Sequence, residues 1–444
     1  MALTSSGVLT EWSSEPEMPE IDQRVQRPPA AWVSRLALGV LLVAGTAAFV
    51  PLLIPGSDTN EEGSGSTSAQ LVFIACYAVL LFVGWSRPTA RPKGLSPDPL
   101  MYLLLALAGA STLWSLSPDT SARRTVGLAL TIAVASLLPR MMSLRELLST
   151  LRTTCWFVSL SSLMYAAVAN AAARDVASPS ALRGVFTTKN ELGRFSAFAF
   201  VVFLVSALIL DGRTRRRSVL GLVCAALLLY LARSATSVTV TALVAAVTLV
   251  FWDLQRRGIA ALRWVVPAAI AAIAGLVATW FLLEVSGVTR LLGRDATFTG
   301  RIELWRLVWE AIARHTWLGY GYQAFWVTPD GPAGDIRARI PFPVPHSHDG
   351  FLDLWLELGI VGVALFSLVL LRALAHACRA TVSGSEAGLA AVVVLVFMVA
   401  SNVTESNLLR ANSCYLLVLL ALCAYVGSSR AHGEPSMANR HADD

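Results

Sequence analysis

The sequence predicts an all-α polytopic membrane protein of about 12 transmembrane helices, with a large outer loop that contains short amphipathic helices. Three observations carry that expectation. The 444 residues are 55% hydrophobic and only 14% charged, with a mean hydropathy of +0.61, whereas soluble domains carry about 25% charged residues. Apolar stretches near the ~20 residues needed to cross a bilayer recur along the whole chain. The basic residues gather in alternate connections between those stretches, the pattern of the positive-inside rule.

In chain order, spans are expected at 31–54, 69–86, 100–116, 124–139, 153–172, 195–211, 218–232, 236–253, 262–286, 350–371, 386–404 and 410–428. Arg24, Arg27 and Arg35 precede the first, and Arg87, Arg91 and Lys93 follow the second. Arg140, Arg145 and Arg152 follow the fourth, Arg213 and Arg215 to Arg217 the sixth, and Arg256, Arg257 and Arg263 the eighth. Arg372, Arg379 and Arg430 complete the series. All fall on one side, so both termini are expected in the cytoplasm and the 287–349 loop outside. The formal net charge of +6 therefore reads as membrane topology, with membrane lipids and no nucleic acid as partners. Arg174, Arg183, Lys189, Arg194, Arg233, Arg290, Arg294 and Arg301 break the bias by lying outside. Neutralising an anionic substrate is one reason for such exceptions.

The chain divides into a tail at 1–30, spans one to nine over 31–286, the loop 287–349, spans ten to twelve over 350–428, and a tail at 429–444. The first tail is polar and acidic with no signal-peptide layout; both tails read as disordered cytoplasmic segments. Cys76, Cys155, Cys224, Cys378, Cys414 and Cys423 all sit in or beside apolar spans, which speaks for apolar filler rather than a disulfide framework. No internal repeat relates the two halves, and the spans hold few ionisable groups. Both features argue against a transporter built from inverted halves around a midplane site.

Within the loop, Arg301 to Ala313 has helical periodicity, with Ile302, Trp305, Val308 (or Trp309) and Ile312 on one face. That predicts an amphipathic helix on the membrane surface with its Trp residues at headgroup level. The run Gly319-Tyr320-Gly321-Tyr322 ends it in a turn. Residues 329–345 read as loop, closing in Pro341-Phe342-Pro343-Val344-Pro345, and span ten starts near Asp349.

The run His346-Ser347-His348-Asp349 has three readings. Two histidines at i, i+2 could bind metal, but no third ligand stands at useful spacing. A structural or interfacial role is the second. A catalytic base is favoured, because imidazole accepts protons near neutral pH and a helix start on the outer face reaches both water-borne and lipid-borne groups.

His348, Leu352, Glu357, Gly359 and Gly362, in "HDGFLDLWLELGIVG", resemble the H-N-x-x-L-x(4)-E-x-G-x-x-G signature of the O-antigen ligase and polymerase superfamily. Upstream, "TGRIELWRLVWEAIARHTWLGYGYQAF" resembles its G-R-x-x-x-W…P-x-x-G-x-G segment, and "LRGVFTTKNELGRF" (182–195) its R-G-x-F-x-x-x-N-x-x-(G/A) element. "RSATS" (233–237) and "TESNLLRAN" (404–412) resemble its S-x-S-x-T-S and T-E-S elements. The resemblance covers roughly residues 180 to 415, on matching sides of the membrane. Asp349 stands where the family has Asn, and Thr316-Trp317 replaces a Pro-containing pair; the first departure touches the hydrogen bonding around His348.

The resemblance implies a GT-C-like bacterial inner (plasma) membrane enzyme without cofactor or metal. It would be an inverting glycosyltransferase that moves a glycan from an undecaprenyl diphosphate carrier to a hydroxyl of a glycan or lipid acceptor. It implies His348 and Arg301 as catalytic: His348 as the base, Arg301 as the bidentate partner of the diphosphate. Arg183, Lys189, Asn190, Arg233 and His346 are the expected substrate-binding residues; headgroup contact is the alternative for the cations, and helix capping for Asn190. Glu357 would be structural, paired with a neighbouring span, with Gly359 and Gly362 permitting close helix packing. A protein O-oligosaccharyltransferase, or a transporter or flippase of lipid-linked sugars, are the alternative functions.

Overall fold

The computed structural model describes residues 30–53, 67–86, 98–257 and 299–430. The ninth expected span, the first part of the loop (287–298) and most of both tails lie outside the described residues. Within them the protein is α-helical, and no element is a strand. The helices of eight or more residues are α1 (Ala30–Gly45), α2 (Thr67–Ser86), α3 (Pro99–Ala110), α4 (Pro118–Met141), α5 (Leu144–Val168), α6 (Lys189–Ile209), α7 (Gly212–Ala232), α8 (Ala235–Arg256), α9 (Thr299–Arg314), α10 (Pro332–Arg339), α11 (Gly350–Val382), α12 (Glu386–Asn402) and α13 (Cys414–Arg430). A helix stands at each of the eleven expected spans that fall among the described residues. Four of them, α4, α6, α8 and α11, are long and apolar enough to cross a membrane, and α1, α2, α3, α12 and α13 carry shorter apolar stretches. All six cysteines are free thiols.

Local chemistry explains the boundaries. Ser143 and Glu146 form a capping box at the start of α5, and Thr188 and Glu191 form another at the start of α6. Each satisfies two orphan N–H groups of the first turn. α6 and α12 are buried along nearly their whole length and form the centre of the bundle. α6 packs against α7 and α8, and α12 against α8, α11 and α13. Outward-facing Leu71, Phe82, Val219, Val223, Tyr230 and Leu249 remain exposed, as a lipid-facing surface requires.

The helix ends sort into the two sets that the charge bias predicts. At one end Arg35 pairs with Glu146, Arg145 with Glu386 at 3.1 Å and Arg372 with Asp98 at 2.7 Å. All six lie in connections or at span ends expected inside. At the other end the Phe49 N–H donates to the Val185 carbonyl at 2.8 Å, and the Leu116 N–H to that of Tyr320 at 3.0 Å. Those four lie in connections or at span ends expected outside.

The described part of the loop, from residue 299 on, has a small core of its own. Leu304, Leu307, Val308, Ala311 and Ile312 of α9 pack with Tyr320, Phe325, Trp326, Ile336, Ile340, Val344 and Leu356. The buried face of α9 keeps Trp305, Val308 and Ile312 of the expected one, but Ile302 and the alternative Trp309 are exposed. Residues 329–345 are not all loop either, because α10 occupies Pro332–Arg339. Its Arg337 guanidinium binds the carbonyls of Thr328 at 3.0 Å, of Val344 at 3.3 Å and of Trp326. These bonds fold the proline-rich return back onto the loop core.

α11 is broken at Gly359, whose φ of 66° and ψ of −174° are non-helical. A β-carbon there would stand 2.0 Å from the Trp317 carbonyl oxygen. The expected packing glycine is therefore a backbone necessity, because the loop threads into the break. Tyr320 N–H donates to the Leu356 carbonyl at 2.7 Å, Gly321 N–H to that of Glu357 at 2.9 Å, and Ile360 N–H to that of Thr316 at 2.8 Å. Non-helical backbone at membrane depth is tolerated where protein satisfies it, and here the Gly-Tyr-Gly-Tyr segment does so.

Candidate active site

The site is built where three segments expected on the outer side meet: the start of α9, the turn before α11, and the connection from α12 to α13. Asp349 caps α11, its Oδ1 accepting from the N–H groups of Phe351 at 2.8 Å and Leu352 at 3.0 Å. An Asn could make the same bonds, so the departure at this position leaves the cap intact. Burial pushes the Asp349 carboxyl up to about 6, with nearby Asp353 adding to the effect and the two N–H bonds opposing it.

Asp353, one turn into α11, organises the rest. Its carboxylate accepts from Ser347 N–H at 3.1 Å, from the Trp326 indole at 2.8 Å and from the Ser406 hydroxyl. One buried carboxylate thus ties the histidine turn to the loop core and to the T-E-S segment. The Trp305 indole donates to the Ser347 carbonyl at 2.9 Å, which fixes α9 against the same turn. His348 is held in a left-handed conformation, φ 58°, a strained state that persists only where its surroundings impose it.

His346 and His348 face each other with ring centroids 4.3 Å apart. The His348 backbone N–H donates to His346 Nδ1 at 3.1 Å, so a neutral His346 carries its proton on Nε2. Burial, and then the charges of Arg410, Arg194 and Arg301, hold this imidazole well below its ordinary value. His346 is thereby fixed as a neutral hydrogen-bond donor, and His348 is the better placed of the two to accept a proton.

The Arg301 guanidinium donates to the Thr404 carbonyl at 3.4 Å. Arg194 of α6 reaches Glu405 of the T-E-S segment at 3.8 Å, and both side chains are buried. Beside them a small cleft is lined by Arg194, Ala197, Ser237, Phe397, Thr404 and Glu405. The structure therefore brings Arg301, His346 and His348 together, and joins to them Arg194, Glu405 and Arg410.

The other expected binding residues have different surroundings. Arg183 is buried, donating to its own loop's carbonyls at Ala172 (3.1 Å) and Thr187 (3.2 Å). Lys189 donates through its backbone N–H to Asp175 at 2.7 Å and through Nζ to Ser178 at 3.0 Å. Asn190 does not cap α6, since Thr188 does; its Oδ1 accepts from Ser234 at 3.4 Å. Ser234 and Ser237 of the R-S-A-T-S run lie so close to Gly193 that a β-carbon there would be 2.6 Å from Ser237 Oγ. Arg233 ends α7 in a left-handed conformation and is exposed. Glu357 is buried in the electrostatic reach of Arg410 and Arg124. Arg124 reaches out from α4 to the Gln323 carbonyl at 2.9 Å.

His346, His348 and Glu405 also offer ligand atoms within 4.8 Å of one another. The third metal ligand missing near the histidines in sequence is thus supplied by a distant segment. Two features oppose a cation there. The Nδ1 lone pair of His346 is taken by a backbone N–H, leaving a neutral ring no free lone pair for a metal. Arg194, Arg301 and Arg410 all act on His346, which favours an anion.

Comparison with known proteins agrees with the motifs. Residues 220–367 match the family model described as O-antigen ligase. The chain is also 29% identical over 281 residues to the exopolysaccharide production protein ExoQ of Rhizobium meliloti (strain 1021), covering 59% of this chain and 60% of that protein. The chain thus matches about three-fifths of the length of that relative. Arg233, Arg301, His346, His348, Glu357 and Gly359 lie inside the matched family segment, whereas Arg183, Arg194 and Glu405 lie outside it. Residues 220–367 are therefore similar to the O-antigen ligase family, and the similarity to the exopolysaccharide production protein supports the same superfamily.

Proposed function

We propose that this protein transfers a glycan from a polyprenyl diphosphate carrier to an acceptor hydroxyl at the outer face of the plasma membrane, in the assembly of a surface or cell-wall polysaccharide. The observation that carries this reading is the convergence of arginines from three different segments on His346, whose ring lies 4.3 Å from that of His348. That convergence pairs a proton acceptor with a binding site for diphosphate. In this reading the chain crosses the membrane twelve times with both termini inside, and the two ends of the outer loop work together.

The chemistry needs two things of the protein. As the acceptor oxygen attacks the anomeric carbon, its O–H bond breaks and the proton passes to an imidazole nitrogen of His348. The oxygen's electron pair forms the new glycosidic bond, and the bond from the anomeric carbon to the phosphate oxygen breaks. The diphosphate leaves with that electron pair, from the face opposite the attack, so the sugar inverts. Arg301, with Arg194 and Arg410 beside it, would hold the developing negative charge through charge-assisted hydrogen bonds. No metal enters this mechanism. The neutral Nε2–H of His346 is suited to donate to a substrate oxygen. Arg183 and Lys189 shape the neighbouring loop and support the site indirectly.

The name of the exopolysaccharide relative supports the polysaccharide assignment over protein glycosylation. The test is substitution in the native host. His348→Ala or Arg301→Ala should leave the protein in the membrane, abolish most mature surface polysaccharide and cause the lipid-linked glycan to accumulate on the outer leaflet. Wild-type polysaccharide in both variants would exclude the assignment, and accumulation on the inner leaflet would point to transport instead.

A further inference from the structure

We propose that Glu405 is the positioning residue for His348, its buried carboxylate aiming the imidazole and stabilising the cation formed when His348 takes the acceptor's proton. The inference rests on the transfer reading above and adds to it a residue from a segment 57 positions further along the chain.

Four observations lead here. Atoms of Glu405, His348 and His346 able to bond a shared proton or ion lie within 4.8 Å of one another. Glu405 is 7% exposed, and a buried carboxylate requires partners for its charge. Arg194 supplies one from the α6 side at 3.8 Å, and the histidine pair stands on another side. His348 is kept at φ 58°, a strained conformation for a residue other than glycine. It is locked there by Ser347 Oγ, which donates to the Asp349 carbonyl at 2.7 Å and accepts from Asp349 N–H at 3.1 Å. Finally, His346 Nδ1 accepts from the His348 N–H, which commits the neutral His346 ring to donating through Nε2 and leaves His348 as the imidazole that takes up the proton.

The charges around the pair show why a carboxylate is needed. Arg194 reaches in from α6, Arg301 from α9 and Arg410 from the α12–α13 connection, while Asp349 and Asp353 belong to the turn and to α11. Three nearby guanidinium groups disfavour a second cation. Glu405 offsets them where the imidazolium forms, as the buried acid of a Ser-His-Asp triad does for its histidine. The proton moves from acceptor to His348 as before, and Glu405 neither gains nor loses one.

The test reads His348 directly. Full-length protein in detergent micelles, labelled with 15N-histidine and assigned with His348→Gln, is titrated as wild type, Glu405→Gln and Glu405→Asp. Glu405→Gln should weaken the proton affinity of His348 about tenfold, since an opposite charge at this range shifts a group by about one pH unit or more. Glu405→Asp, with the charge withdrawn by one methylene, should give an intermediate midpoint, and it serves alone if the Gln variant does not fold. Transfer should follow, using as donor the lipid-linked glycan extracted from a strain lacking the gene. The acid limb of the pH–rate profile should move to lower pH in Glu405→Gln while the plateau falls. An unmoved His348 midpoint in folded Glu405 variants overturns the proposal. So does transfer abolished by a chelator and restored by Zn2+, which would make the three residues ligands. The titration needs no substrate, so it stands whether or not His348→Ala upholds the transfer reading.

Discussion

The indole N–H of Trp305 donates to the backbone carbonyl of Ser347 at 2.9 Å. That bond spans 42 residues and fixes the helix bearing Arg301 to the turn bearing His348. Trp305 lies one helical turn beyond Arg301, so the contact sets the relative position of the two proposed catalytic groups. Trp305→Phe keeps an aromatic ring against the loop core while removing the hydrogen bond and the smaller ring of the indole. It should lower stability by about 0.5–1.5 kcal/mol, and reduce transfer by more than that loss of folded protein explains. Denaturation in detergent, with polysaccharide yield per folded molecule, checks both.

Gly359 should tolerate no side chain. Its φ of 66° and the Trp317 carbonyl 2.0 Å from a would-be β-carbon combine strain with a backbone clash. Gly359→Ala is expected to destabilise by more than about 3 kcal/mol and to sharply reduce the amount of protein in the membrane. Gly39→Ala, where a β-carbon meets nothing within 4 Å, should be neutral. Quantitative immunoblotting of membranes and size-exclusion profiles distinguish the two.

Asp353→Asn replaces an acceptor of three hydrogen bonds by a group with one acceptor oxygen and an NH2 turned toward a donor. A loss of about 1.5–3 kcal/mol is expected, as for hydrogen bonds to charged groups, together with a loss of transfer. His348→Ala, by contrast, should abolish transfer with little change in stability. Thermal unfolding of both variants beside the wild type separates positioning from chemistry.

Acid should weaken the fold through His346. Burial and nearby arginines hold its folded value well below the ordinary value of 6.5, so below about that pH the unfolded chain binds the extra proton and folding loses stability. Asp349 acts in the opposite sense: its folded value of about 6, above the ordinary 3.8, favours the folded state as pH falls through that window. Comparing wild type with His346→Asn cancels the Asp349 contribution. The variant keeps an acceptor near Nδ1, and its melting temperature should fall less than that of the wild type between pH 7.5 and 5.5. Equal falls in both proteins would rule out His346 as the source.

Much of this molecule is legible in its sequence. Hydropathy and charge act locally against a bilayer, so the expected spans agree with helices wherever residues are described, and the paired helix ends follow the charge bias. Arg301, His346 and His348 were recognisable from spacing and resemblance, and the structure brings them together. The face of α9 was less legible. Its periodicity fits two adjacent stripes, and the loop core selects Leu304, Leu307, Val308 and Ala311 over Ile302 and Trp309.

The sequence by itself determined an all-α membrane chain, the grouping of its connections into two sides, and the segments that carry chemistry, because each depends on residues near one another in the chain. Only the tertiary structure decided how those segments meet. Arg194 appeared in the sequence merely as a charge on the unexpected side, and Glu405 as part of a short motif; their pairing beside His348 joins residues 211 positions apart. Asp353 is singled out by no motif in the sequence, and only the structure brings three donors to it. The break at Gly359 likewise needs its partner: a glycine in a span reads as close packing until another strand of backbone fills the space a β-carbon would occupy.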